Sequence, residues 1–171
     1  LKRVIAMTEN TSADLSFTNI EDVRPLIVDL FKSLWGSEEM ILSTGTYNIN
    51  DLDGLVAHQG EDIVGIVTYD LKPELLEIIS LNSFSKQEGI GTSLLNQLKE
   101  IARSKGLDTI QVITTNDNLD AQKFYEYLGF TKIKTIKGAV DEARKKKPEI
   151  PILADNAMEI HDEILYELKL N

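Results

Sequence analysis

The chain has 171 residues, 42% of them hydrophobic and 27% charged, which suits one well-cored domain over residues 1–171 and is short for two. A formal net charge of −10 disfavours a nucleic-acid surface, which needs clustered Lys and Arg; it serves solubility or biases the protein toward a cationic small molecule or basic peptide. The chain contains no cysteine, which removes disulfides, thiolate metal ligands and a cysteine nucleophile together, and its two histidines, His58 and His161, are too separated for a zinc site, so no metal is expected.

Residues 1–15 are too interrupted by polar side chains to form the apolar core of a secretory leader. No apolar run reaches the ~20 residues of a membrane span. A cytoplasmic protein with no membrane partner is therefore expected. Residues 13–18 form a candidate strand. Thr18 and Glu21 then have capping-box spacing, and Val23, Leu26, Ile27, Leu30, Phe31 and Leu34 recur at helical period, predicting a helix over 21–35. Pro25 falls in its first turn and Gly36 at its end. Residues 55–58 and 63–69 flank the turn 59–62 and predict an antiparallel hairpin. His58 is assigned to that hairpin turn, facing solvent. A further strand covers 75–81, with Leu75, Glu77, Ile79 and Leu81 on one face.

From Gly91, the residues Leu94, Leu95, Leu98, Ile101 and Ala102 mark an amphipathic helix that ends near Gly106. Residues 109–114 read as a buried strand, 119–128 as a short helix stopped by Gly129, and 130–136 as a strand. A polar helix covers 138–147. Its basic end, Arg144-Lys145-Lys146-Lys147, reads as a solvated helix terminus or as a phosphate or partner site. Residues 162–170 alternate Ile164, Tyr166, Leu168 and Leu170 as a last strand. It packs within the sheet or pairs across the edge of a second copy, so monomer and homodimer both remain open.

A strand ending at Leu81, a short loop, and Gly89-Ile90-Gly91 opening a helix form the first informative constellation. Amides at a helix N-terminus lack internal partners and carry the positive end of the helix dipole, and glycines let a phosphate approach the main chain. A G-x-G alone also occurs for turn geometry. The chain has no Gly-Lys-Ser or Gly-Lys-Thr for a Walker loop, and Leu94 stands where a dinucleotide fingerprint needs its third glycine.

The stretch from Leu81 through Lys86-Gln87-Glu88-Gly89-Ile90-Gly91 to Leu95 resembles motif A of the GNAT acetyltransferases, [QR]-x-x-G-x-[GA] between a strand and a helix. Asn118-Leu119-Asp120-Ala121, Phe124-Tyr125 and Gly129-Phe130 resemble the family's N-x-x-A-x-x-[LF]-Y-x-x-x-G-F. The phrases Thr114-Thr115-Asn116-Asp117-Asn118, Trp35-Gly36 and the stretch from Lys147-Pro148 to Glu163-Ile164 resemble a poorly characterised bacterial subgroup. The resemblance implies an α+β fold in which a twisted, mixed, mainly antiparallel sheet is flanked by helices. It implies acetyl-CoA as co-substrate, its pyrophosphate on the amides of Gln87, Glu88, Gly89, Ile90, Gly91 and Thr92. Leu81 and Ser83 would pair with the pantetheine arm as an added strand. Lys86 stands where the motif has Arg or Gln; it keeps the positive charge and loses the forked geometry. Asn118 suits a helix cap, and Ala121 allows close approach of the cofactor.

Acetyl transfer to an amine requires a neutral amine, a donor for the developing oxyanion and a proton for the departing thiolate. The resemblance gives Tyr125 the last role; otherwise it is a core aromatic like Phe124. A main-chain N–H at Leu81 or Asn82 would serve the oxyanion. Glu77 is a general base, an anchor for a cationic acceptor, or a surface residue at a strand start. Trp35 and Tyr69 line an acceptor pocket or belong to the core, and Asn116 orients a ligand or closes a turn. The expected function is N-acetylation of a small-molecule or peptide primary amine, with a non-catalytic acyl-CoA-binding module as the alternative.

Overall fold

A computed structural model describes residues 3–4, 14–85 and 89–171. In chain order it contains β1 (Arg3–Val4), β2 (Leu15–Asn19), a 3-10 turn (Ile20–Val23), α1 (Arg24–Trp35), β3 (Glu39–Leu42), β4 (Gly45–Asn48), β5 (Asp53–Gln59), β6 (Asp62–Leu71) and β7 (Leu76–Ser83). There follow α2 (Ile90–Ser104), β8 (Thr109–Thr115), α3 (Leu119–Tyr127), β9 (Thr131–Ile136), α4 (Ala139–Lys146) and β10 (Glu163–Lys169). The main sheet has the order β2-β5-β6-β7-β8-β10-β9, with β1 beside β6. Its pairs are antiparallel except β7–β8 and β1–β6, so it is the mixed, mainly antiparallel sheet expected.

On one sheet face, Leu94, Leu95 and Leu98 of α2 and Tyr125 of α3 pack against Val67, Ile78, Val112 and Tyr166. On the other, Ile27 and Phe31 of α1 cover Val56, Ile63 and Ile66. The remainder of that second face lies beneath a separate hairpin, β3–β4, whose Leu42 and Tyr47 meet Ile79, Ile113 and Leu165. The sequence reading contains no such hairpin, because four-residue strands give too little alternation to register.

The first helix opens differently from the reading. Asn19 caps the 3-10 turn that leads into α1, accepting from the Glu21 amide at 3.0 Å, while the Thr18 hydroxyl is 2.6 Å from His58 Nε2. His58 is 1% exposed, on β5 before the turn rather than in it. Gly36 ends α1 in the left-handed conformation at φ 77°, as its type favours. The basic run is not uniformly solvated. Lys147 is 7% exposed, and its ammonium donates to the carbonyls of Trp35 and Glu39 at 2.7 Å each. It thereby caps the end of α1 and ties it to β3. β10 runs between β8 and β9, so both its edges are taken within the chain and neither is open to a second copy.

One irregularity positions the site. In the β6–β7 ladder Thr68 faces Ser80 and Tyr69 faces Ile78, so Ile79 is an extra residue on β7. A bulge of this kind reverses the side-chain alternation beyond it. Ile79 therefore faces the β3–β4 hairpin, while Leu81 packs with α2 and α3. The expectation that Glu77, Ile79 and Leu81 share a face fails at this point.

Candidate active site

β7 and β8 pair only over Leu76–Ile78 and Ile110–Val112. Beyond that, β7 stays with β6 as far as Ser83 and β8 with β10 as far as Thr115, so the two parallel strands part and leave a gap. The Phe84 amide donates to the Val64 carbonyl at 2.8 Å. Alternation along an antiparallel ladder then turns the main chain of Asn82 toward β6 and that of Leu81 and Ser83 into the gap. Of the two residues read as oxyanion donors, Leu81 has its N–H on the open side; that of Asn82 belongs to β6. Across the gap, the Thr115 carbonyl is held by Gln122 Nε2 and the Asn118 amide, both at 3.1 Å.

The gap opens into a crevice of 830 Å³ lined by Leu81, Ser83, Gly89 to Ser93, Ala121, Phe124, Tyr125 and Tyr127. Gly89 caps α2 at φ 92° with no side-chain capping bond. The first-turn amides of α2 therefore lack a capping side chain and favour an anion. Ile90, Gly91 and Thr92 all lie along the crevice; Lys86, Gln87 and Glu88 fall outside the described residues. Gly91 has a second reason for its type. A Cβ there would stand 2.8 Å from Phe124 Cζ, so its absence lets α2 and α3 approach. Asn118 accepts from the Ala121 amide at 3.1 Å and caps α3 as expected.

Tyr125 lines the crevice together with a second cavity of 220 Å³ on the opposite side, bounded by Trp35, Met40, Leu42, Ile79, Asn82, Ile113 and Thr115. Its ring is fixed by edge contacts to Phe124 and Phe130, with centroids 5.4 and 5.3 Å away. Burial pushes its phenol well above the ordinary value, so it is a proton donor throughout the physiological range. Leu81 and Ala121 also border both cavities.

The remaining candidates separate. Trp35 lines the second cavity and a third, of 190 Å³, next to it. Tyr69 lines neither; it is 6% exposed in the core beneath α2. The Asn116 side chain accepts from the amides of His161 and Asp162 and donates to the Glu159 carbonyl. It splices the loop before β10 and does not line these cavities. Glu77 is not a surface residue. It is 2% exposed, paired with Lys72 Nζ at 2.7 Å and bonded to Thr44 Oγ1 and Tyr47 OH at 2.8 and 3.1 Å. It lies off the walls of all three cavities.

The sequence model of the acetyltransferase (GNAT) family matches residues 20–130. The chain belongs to this family. It is 43% identical over 143 residues to the uncharacterized protein YxbD of Bacillus subtilis (strain 168), covering 83% of this chain and 90% of that one. It is 40% identical over 149 residues to the uncharacterized protein YdhI of the same organism, covering 86% and 93%. Among solved structures it shares its fold with an IAA acetyltransferase from Bacillus cereus ATCC 14579, at a TM-score of 0.65 and 17% identity, covering 92% of this chain and all of the other. A GNAT family acetyltransferase from Elizabethkingia anophelis with acetyl-CoA bound aligns at a TM-score of 0.65 and 19% identity, covering 91% and 98%.

The crevice and the second cavity share Leu81, Ala121 and Tyr125 on their walls. No group of three or more His, Cys, Asp or Glu able to hold a metal occurs among the described residues, and none of their helices is long and apolar enough to cross a membrane. The sequence reading missed Met40, Leu42 and Glu163, which line the second and third cavities. Met40 and Leu42 sit in the unread hairpin. Glu163 carried one signal, a carboxylate at the start of an otherwise apolar strand.

Proposed function

We propose that this chain transfers the acetyl group of acetyl-CoA to a primary amine, with Tyr125 as general acid. The observation that carries the reading is that Tyr125 forms part of the partition between the two cavities, one walled by the amide-rich start of α2 and the other by Trp35, Met40 and Leu42. The crevice suits coenzyme A. It offers the α2 amides to the pyrophosphate, a Gly89 without neighbours within 4 Å of a would-be Cβ among the described residues, and the main chain of Leu81 and Ser83 on the side away from β6 to an extended arm. Acetyl-CoA supplies an activated acyl group whose sulfur leaves as a thiolate. The Leu81 amide points where an oxyanion donor is needed. Tyr125, kept protonated by burial, would donate its phenolic proton toward the departing sulfur.

Tyr125→Phe tests this. Thiol release with acetyl-CoA and a panel of primary amines should fall by about a hundredfold, within the usual range for a general acid, while coenzyme A affinity by calorimetry stays within about twofold. An unchanged rate removes the acid role. Coenzyme A binding by the unsubstituted protein without turnover of any amine would favour a non-catalytic binding module.

A further inference from the structure

Two carboxylates are buried beneath the β3–β4 hairpin, and their surroundings differ. Glu77 has a cation, Lys72, at 2.7 Å. Glu163 is 1% exposed and lines the 190 Å³ cavity. Its oxygens accept from the Ser43 amide at 3.0 Å and the Ser43 hydroxyl at 2.5 Å. No Lys, Arg or His among the described residues forms an ion pair with it. Lys147 lines the same cavity but commits its ammonium to the Trp35 and Glu39 carbonyls. A buried carboxylate without an ion-pair partner is costly to the fold, and a cationic ligand would offset that cost.

Its position fits that purpose. Glu163 pairs with Thr115 across the β8–β10 ladder, and Thr115, Trp35, Met40 and Leu42 border both this cavity and the one that Tyr125 lines. Asn82, on the wall of the Tyr125 cavity, has a buried Oδ1 with no hydrogen-bond partner among the described residues. A carboxylate without an ion-pair partner thus lies on the wall of one compartment and an acceptor oxygen without a donor on the wall of the other. Apart from Thr115 and Lys147, the side chains around Glu163, including Ile41, Val140 and Ile150, present hydrocarbon; a second ammonium would meet the Lys147 cation, and a row of hydroxyls would find few partners there.

We propose that Glu163 receives the ammonium group of the acceptor and takes up the proton that the nitrogen must lose before it attacks the thioester, and that the walls around it select a small primary amine with a hydrocarbon body over a polyamine or an amino sugar. This names the acceptor class for the proposed function and rests on that reading, but charge-dependent binding can be measured without any acetyl transfer. Trp35 is the only tryptophan in the chain, so its fluorescence reports occupancy of both cavities. Hexylamine and 1-hexanol, equal in hydrocarbon and differing in charge, are titrated at pH 7 into the unsubstituted protein, Glu163→Gln and Glu163→Asp. Hexylamine should bind the unsubstituted protein about tenfold more tightly than 1-hexanol. The preference should collapse to about unity in Glu163→Gln with 1-hexanol binding retained, and persist in part in Glu163→Asp. The melting temperature of Glu163→Gln should be equal or higher, because an amide can keep both Ser43 contacts and no buried charge remains.

Equal binding of the two probes to the unsubstituted protein overturns the proposal, even if a variant fails to fold. So does an undiminished preference in Glu163→Gln, or spermidine binding more tightly than hexylamine. Charge-dependent hexylamine binding with no acetyl transfer to any amine would refute the proposed function and leave this inference standing. Transfer to hexylamine with an unchanged Michaelis constant in Glu163→Gln would do the reverse.

Discussion

Glu77→Gln separates a structural carboxylate from a catalytic one. Glu77 is buried under the hairpin and accepts from three groups: Lys72 Nζ at 2.7 Å, Thr44 Oγ1 at 2.8 Å and Tyr47 OH at 3.1 Å. Burial pulls the Lys72 ammonium downward, but its bonds to Glu77 and Tyr47 outweigh this and hold it above its ordinary value. Breaking a fully buried ion pair costs about 3–5 kcal/mol. Here the Lys72 side chain is 28% exposed and can turn to water, and the amide oxygen of Gln still accepts from Thr44 or Tyr47. The loss reduces to the ion pair and one charge-assisted bond, about 2–3 kcal/mol. At roughly 2–4 °C per kcal/mol for a domain of this size, the melting temperature should fall by about 5–10 °C. Turnover per folded molecule should change less than threefold at saturating amine. Scanning calorimetry and a thiol-release assay on one preparation decide it. A variant that melts within about a degree of the unsubstituted protein and loses most of its turnover would make Glu77 the base and refute the structural assignment.

Lys147→Met leaves the Trp35 and Glu39 carbonyls without their shared donor; a loss of about 2 kcal/mol is expected, read by chemical denaturation with an unchanged slope. Gly91→Ala puts a methyl 2.8 Å from the Phe124 ring edge. The half-buried ring must give way at about 1–2 kcal/mol, and coenzyme A affinity should fall as that wall of the crevice moves; equal affinity would separate the helix contact from binding. Hydrogen bonds from His161 to Asp141 and then Glu159 outweigh its desolvation and raise it above 6.5. Its stabilising effect is therefore complete below about pH 6.5 and is lost as pH climbs through the raised value. NMR titration should find His161 above 6.5 and shifted back toward it in Asp141→Asn; titration at or below 6.5 in the unsubstituted protein would deny the contacts.

The cofactor side was readable because its signals are local. Gly89 at the start of a helix, Asn118 three residues before the Ala121 amide it caps, and Gly129 after a short amphipathic helix are each decided by backbone conformation within one turn. Periodicity likewise found α1, α2 and most strands of the main sheet among the described residues. The face assignment on β7 failed for a reason that no strand pattern carries. The bulge at Ile79 is a property of the β6–β7 register, and one unpaired residue reverses every later side chain. Glu77 was placed by counting twos from Leu81 across that bulge, and the count put it on the wrong face relative to the cofactor.

The acceptor side was illegible because it is assembled from segments far apart in sequence. Trp35 ends α1, Met40 and Leu42 belong to a hairpin of four-residue strands, Thr115 ends β8, and Glu163 opens β10. Each residue is unremarkable among its neighbours in the chain, and Glu163 becomes unusual only when Ser43 is folded over it. The same hairpin buries Glu77, through Thr44 and Tyr47, so a single element seals both carboxylates. One is supplied with a lysine and the other is not. If the hairpin served only to cover the sheet, neither carboxylate would be needed, since apolar residues of similar volume pack at least as stably. The unequal provision of ion pairs gives the hairpin two tasks: it is locked to the sheet through Glu77, and it closes over the carboxylate proposed to meet an incoming ammonium.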